Sequence, residues 1–119
     1  METKITREPF WYLATPYSKY SEGIEAAFEE AAKATASLIK CGVRVYCPIA
    51  HTHPIAVYGK LDPLDHTIWL PADMPLMEAA VGLIVVKMEG WNKSKGIKAE
   101  IDKFREDEKP ILYMEWKNV

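Results

Sequence analysis

Glu100 lies three residues after Ile97 and four before Phe104. That spacing sets its carboxyl on the edge of a helix's apolar stripe. Burying a carboxylate without partners is costly. A glutamate there reaches out to solvent, pairs with a lysine, or serves as a catalytic carboxylate on a rigid helix. Ser94-Lys95-Gly96 opens the same helix. Ser94 is a good N-cap, and free N–H groups at a helix start attract anions such as phosphate. A plain cap is the other reading. Gly96 leaves room for close approach and shares a face with Glu100, one turn on. Asp73, before Met74-Pro75, reads as the N-cap of a further helix or as a second carboxylate overhanging the same site. Two carboxylates meeting from different elements suit glycosyl chemistry. One attacks or stabilises the sugar cation, and the other handles the leaving-group proton.

His51-Thr52-His53 could place both imidazoles on one side of an extended segment. No cysteine or acidic residue follows at a zinc-ligand spacing, so pocket lining or loop hydrogen bonding is preferred, and neither metal nor cofactor is expected. Trp69 and Trp91 fall in candidate site loops, where they either pack or stack on a nucleobase. There is no P-loop, no GxGxxG after the first apolar run, no GxSxG and no CxxC. ATP hydrolysis, dinucleotide redox chemistry and α/β-hydrolase chemistry therefore lack support.

These residues need elements to position them. Phe10 to Ala14 is an apolar, aromatic run ended by Thr15-Pro16, a buried first strand. Polar residues from Tyr17 to Ser21 could cap a helix reaching Lys40. Its face is Ile24, Phe28, Ala31, Thr35 and Leu38, and Gly42 ends it. Val43 to Cys47 is a second strand. Ile49 to Pro71 reads as a long irregular stretch that holds all three histidines and is functional or hides a short helix. A helix follows from Asp73 to Ala80, with Pro75 in its first turn. Gly82 to Val86 is continuously apolar, as in a strand covered on both faces. A helix from Ser94 to Glu108 and a strand from Pro110 to Met114 complete the series. Strands alternating with helices predict a parallel α/β sheet, with a fifth strand left to the middle stretch or the tail. Ligands then sit beyond the carboxyl ends of the strands. The candidate loops are Thr15 to Ser21, Pro48 to Asp73, Lys87 to Lys95 and the tail after Met114.

The chain has 119 residues, 49% hydrophobic and 27% charged, which fits one globular domain over 1–119 rather than a disordered chain. Fifteen basic and seventeen acidic residues leave a net charge of -2, so no basic field holds a polynucleotide. No apolar run is long enough to span a bilayer, and Met1 to Pro9 does not read as a signal peptide. Cys41 and Cys47 would close only a short loop. Two reduced thiols in a cytoplasmic protein are expected.

Four segments carry a family likeness: Tyr12-Leu13-Ala14-Thr15-Pro16-Tyr17-Ser18, Asp73-Met74-Pro75-Leu76-Met77-Glu78-Ala79-Ala80, Gly90-Trp91-Asn92-Lys93-Ser94-Lys95-Gly96 running to Glu100-Ile101, and Lys109-Pro110. Together they resemble the nucleoside 2-deoxyribosyltransferase superfamily. The nearest likeness is to its small uncharacterised bacterial and phage branch, of the domain of unknown function 1937 type. The resemblance implies a flavodoxin-like three-layer fold with a four- to five-stranded parallel sheet. It implies Glu100 as nucleophile at the anomeric carbon, Asp73 as the aspartate assisting at the nucleobase, and Tyr12 as hydrogen-bond partner of the nucleophile. With the strand-end rule it makes Thr15, Pro16, Ser18, Trp91, Ser94 and Gly96 the substrate-binding candidates.

The transferases carry aspartate six residues before the nucleophile, where this chain has Ser94. The branch that cleaves nucleoside monophosphates has serine there, and a neutral hydroxyl suits a neighbouring phosphate. The expectation is therefore an N-glycosidase acting on a nucleoside 5′-monophosphate. Base exchange by a deoxyribosyltransferase and a non-catalytic nucleotide-binding or sensing module are the alternatives. The resemblance also implies a homo-oligomer. With only 119 residues to wall off a pocket, the domain is expected to borrow a wall from a partner copy, although the chain stops soon after Met114, short of the C-terminal segment by which relatives reach a neighbour's site.

Overall fold

The computed structural model describes residues 9–116. Four parallel strands, β1 (Trp11–Ala14), β2 (Val45–Tyr46), β3 (Gly82–Lys87) and β4 (Ile111–Glu115), form one sheet in the order β2-β1-β3-β4. Helices α1 (Ile24–Lys40), α2 (Pro48–Gly59), α3 (His66–Ala79) and α4 (Lys95–Glu106) connect them, with a 3-10 turn at Trp91–Lys93 before α4. This is the three-layer, flavodoxin-like arrangement. The fifth strand does not come from the middle stretch, which is helical. Residues 1–8 and 117–119, including the N-terminal segment and the last part of the tail, lie outside the described residues.

The sheet is buried on both faces, which is why β3 is apolar throughout. On one face Ala27, Ala31 and Ala34 of α1 press against Leu13, Ile84 and Val86. The buried line is therefore offset from the expected stripe, of which Ala31 is buried and Leu38 packs half-buried against the same cluster. Alanines let α1 lie close to the strands, and Phe28 is turned aside to stack on His53 of α2, ring centroids 4.5 Å apart. On the other face Met77 and Ala80 at the end of α3, with Ile97 and Phe104 of α4, cover Tyr12, Ala14, Leu83 and Val85.

The middle of the chain differs most from its sequence reading. The stretch expected to be irregular forms all of α2 and the first half of α3. Asp73 is not an N-cap but lies inside α3. The cap is Asp65, whose Oδ1 accepts from the Thr67 backbone N–H at 3.0 Å. Pro54, Pro71 and Pro75 all sit within helices. Each removes a backbone donor, and this masked the helices in the sequence. Lys109 offsets part of that weakness. Its Nζ donates to the backbone carbonyls of Met77 at 3.0 Å and Glu78 at 2.6 Å, closing the C-terminal turn of α3. Likewise α1 starts at Gly23 with no side-chain cap, so the polar residues from Tyr17 to Ser21 do not cap it.

The tail runs along α1. The Trp116 indole N–H donates to Glu30 at 3.0 Å. Both cysteines are free. Among the described residues no helix is long and apolar enough to cross a membrane.

Gly82, at the start of β3, has no room for a side chain. A Cβ there would meet Pro110 O at 2.8 Å and overlap the Trp11 ring. Gly82→Ala should cost about 2–3 kcal/mol in urea unfolding, as overpacking of a filled site does. A cost near zero would show that Trp11 moves aside freely.

Candidate active site

Tyr12 and Tyr46 are paired across β1 and β2, and both belong to the face covered by α3 and α4. Their ring centroids are 5.9 Å apart, and Tyr12 packs against Phe104 at 5.8 Å. Helix α4 brings Glu100 to Tyr12, because Ile97 and Phe104 fix the helix on the sheet and leave Glu100 at the border of the buried stripe. Helix α3 brings Asp73 to the same place.

The electrostatics show how closely these groups sit. Burial pushes the Glu100 carboxyl up to about 8, Tyr12 opposes the shift by hydrogen bonding, and Asp73 adds to it. Burial also raises Asp73 to about 6, with His51 pulling in the other direction. The Tyr12 phenol is driven far above its usual range by burial first, then by Glu100 and Asp73. Tyr46 is pushed up to about 12 by burial and by Asp73. Two carboxyls in reach of each other's charge do not ionise independently, so the values belong to the pair.

The pocket is also under-satisfied. The Tyr12 hydroxyl, the Tyr46 hydroxyl and Asp73 Oδ1 are buried without a hydrogen-bond partner. Tyr12 thus faces Glu100 closely enough to hold its proton affinity down, but outside strict hydrogen-bond geometry. Buried polar atoms in folded proteins nearly always find partners. Several orphans in one place mark where a polar ligand would supply them.

The expected catalytic trio of Tyr12, Asp73 and Glu100 is therefore brought together. Tyr46 and His51 join it; sequence reasoning had not named Tyr46, and had read His51 as pocket lining or loop hydrogen bonding. The signal for Tyr46 was its position at the carboxyl end of β2. His51 and His53 do not share a side. On α2 they point apart, His51 toward Tyr46 (centroids 5.8 Å) and His53 into the α1 side against Tyr17 and Phe28.

The other candidates sit around this group. Thr15 and Pro16 are buried, with Thr15 beside the Cys47 thiol that burial keeps protonated. Ser18 is exposed. Ser94 caps α4, its Oγ accepting from the Ile97 N–H at 3.1 Å. At Gly96 an added Cβ would meet only Ser94 Oγ, at 3.8 Å. No protein atom demands a glycine there, although it costs a helix about 1 kcal/mol. Trp91 packs edge-on against Tyr113, with the Lys87 ammonium over its ring. Trp69 donates its indole N–H to Asp62 O. Among the described residues no cluster of histidine, cysteine, aspartate or glutamate could hold a metal ion.

The domain of unknown function (DUF1937) family matches residues 10–116, and the chain belongs to that family. No curated protein matches it.

The raised Glu100 carboxyl has a measurable effect on stability. The fold binds this proton more tightly than the unfolded chain, so stability falls as pH rises from about 4.5 through about 8. Glu100→Gln, which cannot ionise, should raise Tm by on the order of 5 °C at pH 8.5 and leave it nearly unchanged at pH 4. Equal effects at both pH values in thermal melts would rule out a charge buried at Glu100.

Proposed function

We propose that this DUF1937 protein is a cytoplasmic N-glycosidase that cleaves the base–sugar bond of a nucleoside 5′-monophosphate. The observation that carries the reading is the meeting of buried Tyr12 with half-buried Asp73 and Glu100, with its orphaned polar atoms and two raised carboxyls. The resemblance of the segments around these residues to nucleoside 2-deoxyribosyltransferases supports the same chemistry. Ser94 in place of an aspartate supports a phosphorylated substrate. The α4 N-terminus beside it has no acidic residue in its first turn and offers free N–H groups to a phosphate.

In this mechanism a Glu100 oxygen attacks C1′ of the sugar. The C1′–N bond breaks, its electron pair goes to the base nitrogen, and Asp73 gives that nitrogen a proton. Water then attacks C1′, Asp73 takes the water's proton, and the Glu100 carboxylate leaves. The pair must hold one proton between its two members. The pair loses its first proton at about 6 and its second at about 8, and the deeper burial of Glu100 favours the proton resting there. Attack requires the same total charge with the proton on Asp73. Tyr12 favours that arrangement by hydrogen bonding to the Glu100 anion, as does positive charge developing on the sugar.

Incubation with a panel of nucleoside monophosphates should release free base, read by chromatography. Glu100→Ala should lower the rate by about a thousandfold or more, the scale of losing a covalent nucleophile. The rate should follow a bell in pH. It falls below about 6, where both carboxyls are protonated, and above about 8, where neither is. A new nucleoside on adding an acceptor base would point to transfer instead. Saturable binding with no product would point to a sensing module.

We also infer that the working unit is a homodimer or larger. Tyr58 is 87% exposed, and Ile55, Leu61, Leu64 and Leu70 are exposed near it in sequence. Apolar exposure of this kind suits an interface. Sedimentation should show an oligomer at micromolar concentration, and a monomer there would remove this part of the reading.

A further inference from the structure

Outside the carboxylate pocket, three side chains form a continuous chain. The Tyr17 hydroxyl lies 2.6 Å from His53 Nδ1, and His53 Nε2 lies 2.8 Å from Glu25 Oε2. His53 is only 4% exposed and is sandwiched by rings, stacked on Phe28 and edge-on to Tyr17. Glu25, in the first turn of α1, is open to solvent. The chain thus ties the loop after β1 to both α1 and α2.

The donor arithmetic of the chain is strict. A carboxylate offers only lone pairs, so in the singly protonated ring Glu25 holds the proton on Nε2. Nδ1 is then a lone pair, and the Tyr17 O–H must donate to it. A phenol has one proton, and here it is already used. What remains on the Tyr17 oxygen is acceptor capacity alone. Nucleophile, base and orienting acid in a row would suit a nucleophilic tyrosine. Burial and Glu25 instead push this phenol up to about 12, so it does not act as a phenolate near neutral pH.

Tyr17 sits three residues past the end of β1, in a loop at the carboxyl ends of the strands where ligands of such sheets bind; its half-buried ring packs on the α1 face, so it meets the crevice from the side opposite Tyr12 and the carboxyls. We propose that Tyr17, made an acceptor-only contact by His53 and Glu25, reads a hydroxyl or N–H donor on the bound ligand. This rests on the reading of the site as a nucleotide pocket, but not on turnover. A phosphate oxygen has no proton to give, so Tyr17 turns the phosphate away. The ligand's phosphate therefore lies at the start of α4, and a donor on its sugar or base lies at the β1 loop. His53 and Glu25 are positioning residues that act through Tyr17.

The test is binding by calorimetry at pH 8 with the four common ribonucleoside 5′-monophosphates. The tightest of them is then compared with its analogues lacking the 2′-hydroxyl, the 3′-hydroxyl or the donor on the base. Wild type should prefer the parent over one analogue by roughly five- to tenfold, the scale of one hydrogen bond. Which analogue it is tells sugar from base. Tyr17→Phe should erase that preference without weakening the analogue. His53→Phe keeps the ring stack, frees the Tyr17 proton and should shrink the preference. Nitrogen NMR of the wild type at pH 8 should show the His53 proton on Nε2, which checks the chain even where His53→Phe fails to fold. A proton on Nδ1, an unchanged preference in Tyr17→Phe, or no binding of any of the four nucleotides overturns the proposal. Binding with the expected preference but no base released leaves it standing and removes the glycosidase reading alone.

Discussion

Two carboxyl groups in one buried pocket cannot both carry charge near neutral pH. The fold that brings Asp73 and Glu100 together must therefore tolerate a proton trapped between them. Each group is delivered by its own helix, α3 or α4, onto the same face of the sheet. Neither helix could place its carboxyl alone. Ile97 and Phe104 fix α4 against β1 and β3, and Met77 with Ala80 fix the end of α3. The apolar contacts offset the cost of the desolvated acids. Among the described residues, three of the four buried side-chain atoms without a hydrogen-bond partner belong to this site, and the fourth is the Thr15 hydroxyl at the end of β1.

The position of α3 is the more demanding half of the arrangement. With Pro71 and Pro75 one turn apart, that helix lacks backbone bonds it would otherwise make. Its end is held by tertiary bonds from Lys109, at the entry to β4. The Lys109-Pro110 pair makes structural contacts. It anchors the element that carries Asp73 and does not itself join the carboxylate group.

Much of this was legible in the residues. Continuous apolarity marked β3, the Ile97, Ile101 and Phe104 spacing marked α4, and the border position of Glu100 followed from that spacing. The helices α2 and α3 were hidden because prolines and histidines break both propensity and periodicity. Packing against neighbours decided the structure there instead. Asp73 does lie near Glu100 and Tyr12, but inside its helix rather than at its start, since the cap, Asp65, lies upstream of the prolines. The pairing of Tyr46 with Tyr12 depends on sheet order and register, which no local pattern encodes. The link from His53 to Tyr17 and Glu25 spans three elements, so it too is invisible along the chain. The offset of the α1 stripe has a simpler cause. Small alanines pack the sheet better than the larger residues beside them.

Gly90 has a positive φ of 88°, and a side chain there would run into the Lys19 carbonyl. The loop after β1 and the loop before α4 therefore touch backbone to backbone, with no side chain as a spacer. Flexible side chains let neighbouring loops slide independently, and this seam has none. Widening the mouth on the β1 side pulls on the turn that leads to Ser94. Two rims of the strand-end crevice are thereby joined at one backbone contact, and a shift of either loop would have to be matched by the other.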